Sequence, residues 1–391
     1  MFKRLLHLTN ENSILLFGAR GTGKTTLLQT CFPEDISYWI NMLLPEEEER
    51  YSKNPSELIP LVKALPKHKR FIVIDEIQKV PKLLDVVHYL IESTDKIFIL
   101  TGSSARKLKH GGANLLAGRA FAFHLYPLSF LELIGRFDLE EALHYGLLPK
   151  IFSYTQKEYK INYLNSYAHT YLKEEVWNEH FIRKIDPFRK FLEVAAQSDG
   201  KELNYSNIAR DTGVDVKTIQ SYYSILEDTL LGFHLEAFQH SFRKRLTKSP
   251  KFFFFDVGVS RALSRMLSVE LNPKTSYYGE VFERFVILEC YKLAQYHHPD
   301  YRFCFLKTQE GKEIDLVVDR PGQRLLLIEI KSAHDVTEDK LKTIKKIHSE
   351  IKNSEAVCFS QVNMAKCYDS IWVLPWQEAI KRYFSVASLS C

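Results

Sequence analysis

Two groups of residues in this chain have the types and spacing to do chemistry. The first is Gly18-Ala19-Arg20-Gly21-Thr22-Gly23-Lys24-Thr25-Thr26, which satisfies G-x-x-x-x-G-K-[ST]. Glycines at Gly18, Gly21 and Gly23 let successive backbone N–H groups curl round a β-phosphate, and a following helix turns its positive end toward the anion. Lys24 can reach the β- and γ-phosphates, Thr25 can offer its hydroxyl to Mg²⁺, and Thr26 completes the cradle. Asp75-Glu76 adds an acidic pair suited to hold Mg²⁺ through water and to polarise a water attacking the γ-phosphate. The second group is Glu283, Asp315, Glu329 and Lys331. Carboxylates of this kind bind Mg²⁺ or Mn²⁺ with waters retained, and a neighbouring lysine orients or deprotonates a water.

Each group needs elements that aim it. The apolar run Ile14–Phe17 predicts a strand before the glycines, and apolar periodicity resumes after Thr26 as a helix. Phe71–Ile74 predicts a core strand ending at Asp75, and Lys96–Leu100 a further one running into Thr101-Gly102-Ser103-Ser104. Strand–helix alternation over residues 12–130 predicts α/β architecture with a parallel sheet and nucleotide at the carboxyl ends of its strands. In the second group, Glu283 falls on an amphipathic helix over residues 279–294 and Asp315 on a strand over 312–318. Glu329 and Lys331 follow on a strand over 324–330 and just beyond it. Residues two apart on a strand share a face, so Glu329 and Lys331 point into one cleft. Asp315 precedes Glu329 by 14 positions (329 − 315), room for a hairpin that sets the two together. Glu313, on the same strand face as Asp315, is its alternative. The apolar flanks in Leu-Leu-Leu-Ile-Glu-Ile-Lys argue for a buried strand, on which an unpaired carboxylate is costly.

These stretches carry two resemblances. The helical Glu, strand Asp and Glu-x-Lys resemble the core of PD-(D/E)XK nucleases, with Ile-Asp standing where Pro-Asp is common. From GARGTGKTTLL, FIVIDEIQKVPKLLDVVHYLIE, FILTGSSARKL, LLAGRAFAFHLYPLSFLEL and HYGLLP the chain is similar to a widespread prokaryotic family of AAA+-type ATPases. That family's C-terminal domain has long been labelled as of unknown function, and the likeness runs to the end of the chain. It implies ATP and Mg²⁺ as ligands and a homo-oligomeric ring such as a hexamer. It also places Ser103, with Ser104 as alternate, at the sensor position facing the γ-phosphate. Arg119, just before the strand expected at 120–125, takes the place of an arginine finger acting on a neighbouring subunit.

Between the two groups the chain reads as helical over 131–200, the place of a small lid, with Gly146-Leu147-Leu148-Pro149 resembling a lid signature. Residues 203–238 then read as helix, Thr212–Asp215 turn and helix, with a wing expected at 230–238. The exposed face of the second helix carries Lys217, Thr218, Gln220 and Ser221, suited to phosphates and poor in base-reading pairs. Two basic blocks are further candidates for a phosphate backbone: Arg243-Lys244-Arg245 with Lys248 and Lys251, and Lys340, Lys342, Lys345, Lys346 and Lys352.

The bulk numbers agree with several domains. At 391 residues, 45% hydrophobic and 26% charged, the chain exceeds one ordinary core. No apolar run approaches the roughly 18 residues of a membrane span. The six cysteines show no metal or disulfide spacing, and with no leader read at the N-terminus a cytoplasmic protein is expected. The expected division is an AAA+-type ATPase core at 1–130, a helical lid at 131–200, a winged helix-turn-helix at 201–250, and a restriction-endonuclease-like α/β domain at 251–391. The expected function is ATP-driven action on duplex or branched DNA, recognised by structure rather than sequence and cut by the metal-dependent site. The alternative is a regulatory or defence ATPase switch whose C-terminal parts only bind DNA or protein.

Overall fold

The computed structural model describes residues 2–103, 116, 118–171, 185–238 and 249–385. Ser104, Arg243-Lys244-Arg245 and Lys248 lie outside them. The contacts divide the chain into two compact units. One comprises Met1–Leu128, Leu148–Ser153 and Ser224–Leu231, and the other Ser129–Leu147, Tyr154–Tyr223 and Gly232–Cys391.

The first unit is built on five parallel strands, β1 (Ser13–Phe17), β2 (Ser37–Asn41), β3 (Phe71–Asp75), β4 (Ile97–Gly102) and β5 (Ala120–His124). They lie in the order β2-β3-β4-β1-β5. Every residue of β1, β3 and β4 is buried, as expected for strands covered on both faces by crossover helices. Leu15, Ile72, Ile74, Phe98 and Leu100 pack with Leu83, Val87 and Leu90 of the helix Leu83–Ser93 into one core. Each such side chain contributes about 1.5–3 kcal/mol on burial. All the loops that leave β1, β3 and β4 at their carboxyl ends therefore open on the same sheet edge, with β4 between the other two.

The second unit holds β6 (Gly232–Ala237), β7 (Lys251–Phe254), β8 (Arg302–Lys307), β9 (Glu313–Asp319), β10 (Leu325–Lys331), β11 (Ser354–Ser360), β12 (Lys366–Tyr368) and β13 (Ile371–Pro375). Their order is β12-β13-β11-β10-β9-β8-β6-β7. β8, β9 and β10 run as an antiparallel meander. The helix Lys342–Glu350 carries the chain from β10 across to parallel β11. Before the sheet, helices Tyr205–Thr212 and Val216–Asp228 flank a turn in which Gly213 adopts φ 72°. The strand that follows them, β6, pairs antiparallel with β7 and parallel with β8. Residues on both sides of position 250 thus belong to one sheet.

Packing explains why the lid-like signature begins with Gly146. Asp256 is buried, and its carboxylate accepts from the N–H of Leu147 at 2.7 Å and of Val259 at 3.0 Å. A Cβ on Gly146 would lie 2.0 Å from Asp256 Oδ1, and one on Gly258 would lie 2.1 Å from the Tyr145 carbonyl oxygen. Tyr145–Leu147 and Asp256–Gly258 are the two sides of one close contact. Ser129 has a similar part: Glu289 Oε2 accepts from its hydroxyl at 2.7 Å and from the Phe130 N–H at 3.1 Å.

Candidate functional site

In the first unit, the chain leaves β1 at Phe17 and enters the helix Lys24–Cys31 through the glycine-rich loop. Gly18 cannot carry a side chain, since its Cβ would sit 2.5 Å from the Leu125 carbonyl oxygen. Gly21 and Gly23 take φ of 81° and 95°, a region open mainly to glycine. Lys24 is buried, and its Nζ donates to the Gly18 and Ala19 carbonyls at 2.7 and 3.4 Å. Arg4 braces the loop from outside, donating to the Thr22 and Tyr126 carbonyls at 2.7 Å each. Sequence reading missed this arginine, because nothing local ties it to a loop eighteen positions on.

β3 delivers Asp75 to the same edge. Asp75 Oδ2 accepts from Thr25 Oγ1 at 2.9 Å, and Oδ1 accepts from Thr101 Oγ1. Glu76 follows with φ 61°, a left-handed conformation uncommon for a residue with a side chain. Its N–H is held by Thr101 Oγ1 at 3.0 Å. Its carboxylate accepts from Gln78 Nε2, which also donates to Ser103 Oγ at 3.1 Å. Thr25, Asp75, Glu76 and Ser103 are thereby joined through Thr101 and Gln78, neither of which was picked from the sequence. Thr26 helps line a cavity of about 330 Å³ beside Gly23, with Leu6, Leu8, Leu27 and Leu128 on its walls. Arg119 stands just before β5. It lies partly exposed, with Nε on Glu92 Oε1 at 2.5 Å, and this pair holds the Glu92 carboxyl below its usual range.

The second unit assembles the other group. The antiparallel register pairs Leu327 with Val317 and Ile328 with Leu316. One step further sets Glu329 opposite Asp315. Asp315 Oδ2 accepts from the Ile330 N–H at 2.7 Å, and Lys331 Nζ donates to Glu329 Oε1 at 2.5 Å. Glu329 is buried, and its Oε2 has no hydrogen-bond partner. Glu283 comes from the long helix Ser276–His297. Burial, followed by the charge of Asp315, pushes Glu283 up to about 8 and Glu329 up to about 7, and burial also raises Asp315. For Lys331 burial acts downward, but Asp315 and Glu329 outweigh it and hold the ammonium above its ordinary value.

Glu313, the alternative to Asp315, is engaged by Lys251, which is 5% exposed and also lies 5.1 Å from the centre of the Phe305 ring. The sequence groups Lys251 with a basic block, yet it also heads the Phe-rich run Phe252–Phe255, which reads as a buried strand, and the structure keeps it buried there. Lys251, Glu283 and Glu313 share a cavity of about 350 Å³ with Lys201, Glu280 and Arg284.

The donors here are the oxygens a hard divalent cation takes, and an unpartnered buried Glu329 Oε2 is a group a cation would satisfy. Among the described residues, however, no three His, Cys, Asp or Glu side chains are gathered as a ready cage. In the other basic block three of the five lysines are paired: Lys342 meets Asp339 at 2.6 Å, Lys345 meets Asp369 at 2.6 Å, and Lys346 meets Glu310 at 3.3 Å. Among the described residues no helix is long and apolar enough to cross a membrane.

Comparison with known proteins gives three family matches. Residues 10–134 match a family described as an AAA domain. Residues 136–270 and 278–379 match families described as domains of unknown function, DUF8612 and DUF4143. The chain is 26% identical over 326 residues to the uncharacterized protein Rv2008c of Mycobacterium tuberculosis, covering 82% of this chain and 70% of that one. It is 24% identical over 409 residues to the uncharacterized protein MJ1637 of Methanocaldococcus jannaschii, covering 93% and 83%. Among solved structures, it is similar to the ORC1 protein of Aeropyrum pernix in complex with DNA, at 13% identity and a TM-score of 0.23 over 65% of this chain and 86% of that one. It is also similar to McrB AAA+ hexamers of Thermococcus gammatolerans with bound McrC, at 12% identity and a TM-score of 0.21 over 51% and 52%. Residues 10–134 thus match an AAA domain and fold as an α/β unit in which a glycine-rich loop leaves a five-stranded parallel sheet.

Proposed function

We propose that this protein is an ATP-hydrolysing machine that acts on DNA, recognising duplex or branched structure rather than sequence. The observation that carries the ATPase part is the joined set Thr25, Asp75, Glu76 and Ser103 at one sheet edge. Gly18, Gly21 and Gly23 with Lys24, Thr25 and Thr26 bind the phosphates, and Thr25 and Asp75 would hold Mg²⁺, which would neutralise phosphate charge. Glu76 polarises the attacking water, and Ser103 bonds that water or the γ-phosphate. The apolar cavity beside Gly23 suits a nucleobase. Arg119 reaches the ATP of a neighbouring subunit in a homo-oligomeric ring. We read the chain as an ATPase core to about residue 130, a helical lid to 200, a winged helix-turn-helix to 250 and a nuclease-like domain beyond, in a cytoplasmic protein.

The nuclease part rests on Asp315, Glu329 and Lys331 converging on adjacent strands. Glu283, Asp315 and Glu329 would have to draw together to hold Mg²⁺ or Mn²⁺, which would supply a water of lowered pKa and positive charge beside the phosphate. Lys331 then orients the water, once its own bond to Glu329 has opened. That bond also favours a second reading. With Lys331 on Glu329 and Lys251 on Glu313, the site is internally neutralised, as in a regulatory or defence switch whose C-terminal parts only bind DNA or protein.

The test is Mg²⁺- and Mn²⁺-dependent cleavage of labelled linear, forked and four-way DNAs, with and without ATP, beside a Glu329→Ala/Lys331→Ala control. Cleavage lost in the control supports the nuclease. DNA-stimulated ATP hydrolysis without cleavage selects the switch. Neither cleavage nor DNA stimulation removes DNA from the reading.

A further inference from the structure

Gln78 stands between the two groups that the ATPase reading puts beside the γ-phosphate. Its Nε2 donates to Glu76 Oε2 and, at 3.1 Å, to Ser103 Oγ. A carboxylate accepts, so the NH₂ end of the amide must face Glu76, and both of its hydrogens are then used. Gln78 is 6% exposed, and its Oε1 is left buried with no partner. That oxygen lies against Gly102, where a Cβ would sit 2.8 Å from it. A methionine would fill the same space without leaving a polar atom unsatisfied. Packing alone therefore does not call for glutamine here.

The backbone is bent to the same end. Glu76 turns to φ 61°, off the line of β3, and is fixed there by Thr101 Oγ1, which in turn donates to Asp75. Strain of this kind persists where its surroundings over-determine it. Here the turn brings Gln78, two residues on, back beneath the carboxylate of Glu76.

We propose that Gln78 is a positioning residue for ATP hydrolysis. Resting on the ATPase reading, it holds the Glu76 carboxylate and the Ser103 hydroxyl in one frame, so that γ-phosphate and attacking water meet both together. With Oε2 of Glu76 held by the amide, Oε1 faces the water. The water oxygen bonds to the γ-phosphorus, and the bond to the β–γ bridging oxygen breaks with its electron pair leaving on ADP. Glu76 Oε1 takes the water's proton. Gln78 exchanges nothing; it fixes which carboxylate oxygen is presented.

The experiment uses the full chain, with ATP turnover, fluorescent-nucleotide affinity and thermal melting measured on each variant. Turnover that is lost in Lys24→Ala first establishes the ATPase, and its absence from the wild type would overturn that reading and this one with it. Gln78→Met keeps the shape and removes the donors. It is expected to keep nucleotide affinity within about twofold and to lower kcat by about ten- to a hundredfold, the range met when an orienting partner is lost. In a Glu76→Gln background, under single turnover, Gln78→Met should add no further loss. Gly102→Ala is the second variant: it displaces the amide while leaving Gln78 in place, and it should lower kcat with the melting temperature little changed. Wild-type kcat in both variants, or an equal added loss in the Glu76→Gln background, overturns the proposal.

Discussion

Thr25 Oγ1 donates a 2.9 Å hydrogen bond to Asp75 Oδ2, joining two motifs 50 positions apart. β4 separates their strands in the sheet, so the bond forms only above the sheet edge, where the loops converge. Lys24 sits in the same loop and holds two of its carbonyls. Lys24→Ala should abolish saturable nucleotide binding while leaving far-UV circular dichroism unchanged. Wild-type ATP affinity in this variant would sink the phosphate-loop assignment.

Arg119 bonds Glu92 within its own unit, at the surface. A pair this exposed is screened by solvent. If it serves a neighbouring subunit, Arg119→Ala alone should lower kcat by about a thousandfold or more. Mixing it with Lys24→Ala subunits should then recover part of the activity, since a Lys24→Ala subunit still offers Arg119. Turnover that stays at the level of the separate variants assigns Arg119 a role in its own subunit or none.

The strands that place these residues were legible because a doubly covered parallel strand must be apolar throughout, as Phe71–Ile74 is. Asp315 and Glu329 were legible for the opposite reason, as charged residues inside apolar runs. Gln78 was not. The left-handed turn at Glu76 ends the strand's alternation, so no periodicity says where the next side chains point. Nor was the partnership of Lys251 with Glu313, which spans 62 positions and depends on how β6 and β7 join the sheet. Gly-Leu-Leu-Pro was visible as a signature, but its reason, the Asp256 carboxylate against Gly146, lies more than a hundred residues away.

That contact yields a stability prediction. Gly258→Ala pushes a methyl into the Tyr145 carbonyl, a backbone atom that cannot rotate aside. Overpacking of this kind typically costs about 1–3 kcal/mol. Gly258→Ala should therefore melt several degrees below wild type, whereas Gly311→Ala or Gly322→Ala, with nothing within 4 Å of the added atom, should lose only what their positive φ costs. Equal melting of Gly258→Ala and wild type would show that the backbone contact is slack.

The carboxylates of the second unit make its stability depend on pH. Glu283 is raised to about 8 and Glu329 to about 7, burial being the larger cause in each. Below the ordinary carboxylate range both states are protonated and nothing is lost. As pH rises toward 8 the unfolded chain gives up these protons while the folded one retains them, so stability falls across that window. Melting should be lower at about pH 8.5 than at about pH 5.5, with a shallower slope in Glu283→Gln. A slope unchanged by Glu283→Gln would remove Glu283 from the account.

Lys251 separates stability from function at the same site. Its Nζ is bonded to Glu313, and its charge lowers the pKa of both Glu283 and Asp315. Lys251→Met strips Glu313 of its partner and leaves three acidic groups with one fewer counter-charge, so the variant should melt well below wild type. Glu313→Gln in the same chain removes the orphaned carboxylate, and much of that loss should return, a coupling of about 0.5–3 kcal/mol between contacting residues. If Lys251 serves only Glu313, DNA affinity measured in Ca²⁺ should return with stability in the double variant. If, as the nuclease reading expects, the ammonium also meets the DNA phosphate in the cavity it shares with Glu283, affinity should stay low after stability has recovered. Recovery of both would confine Lys251 to holding the sheet together.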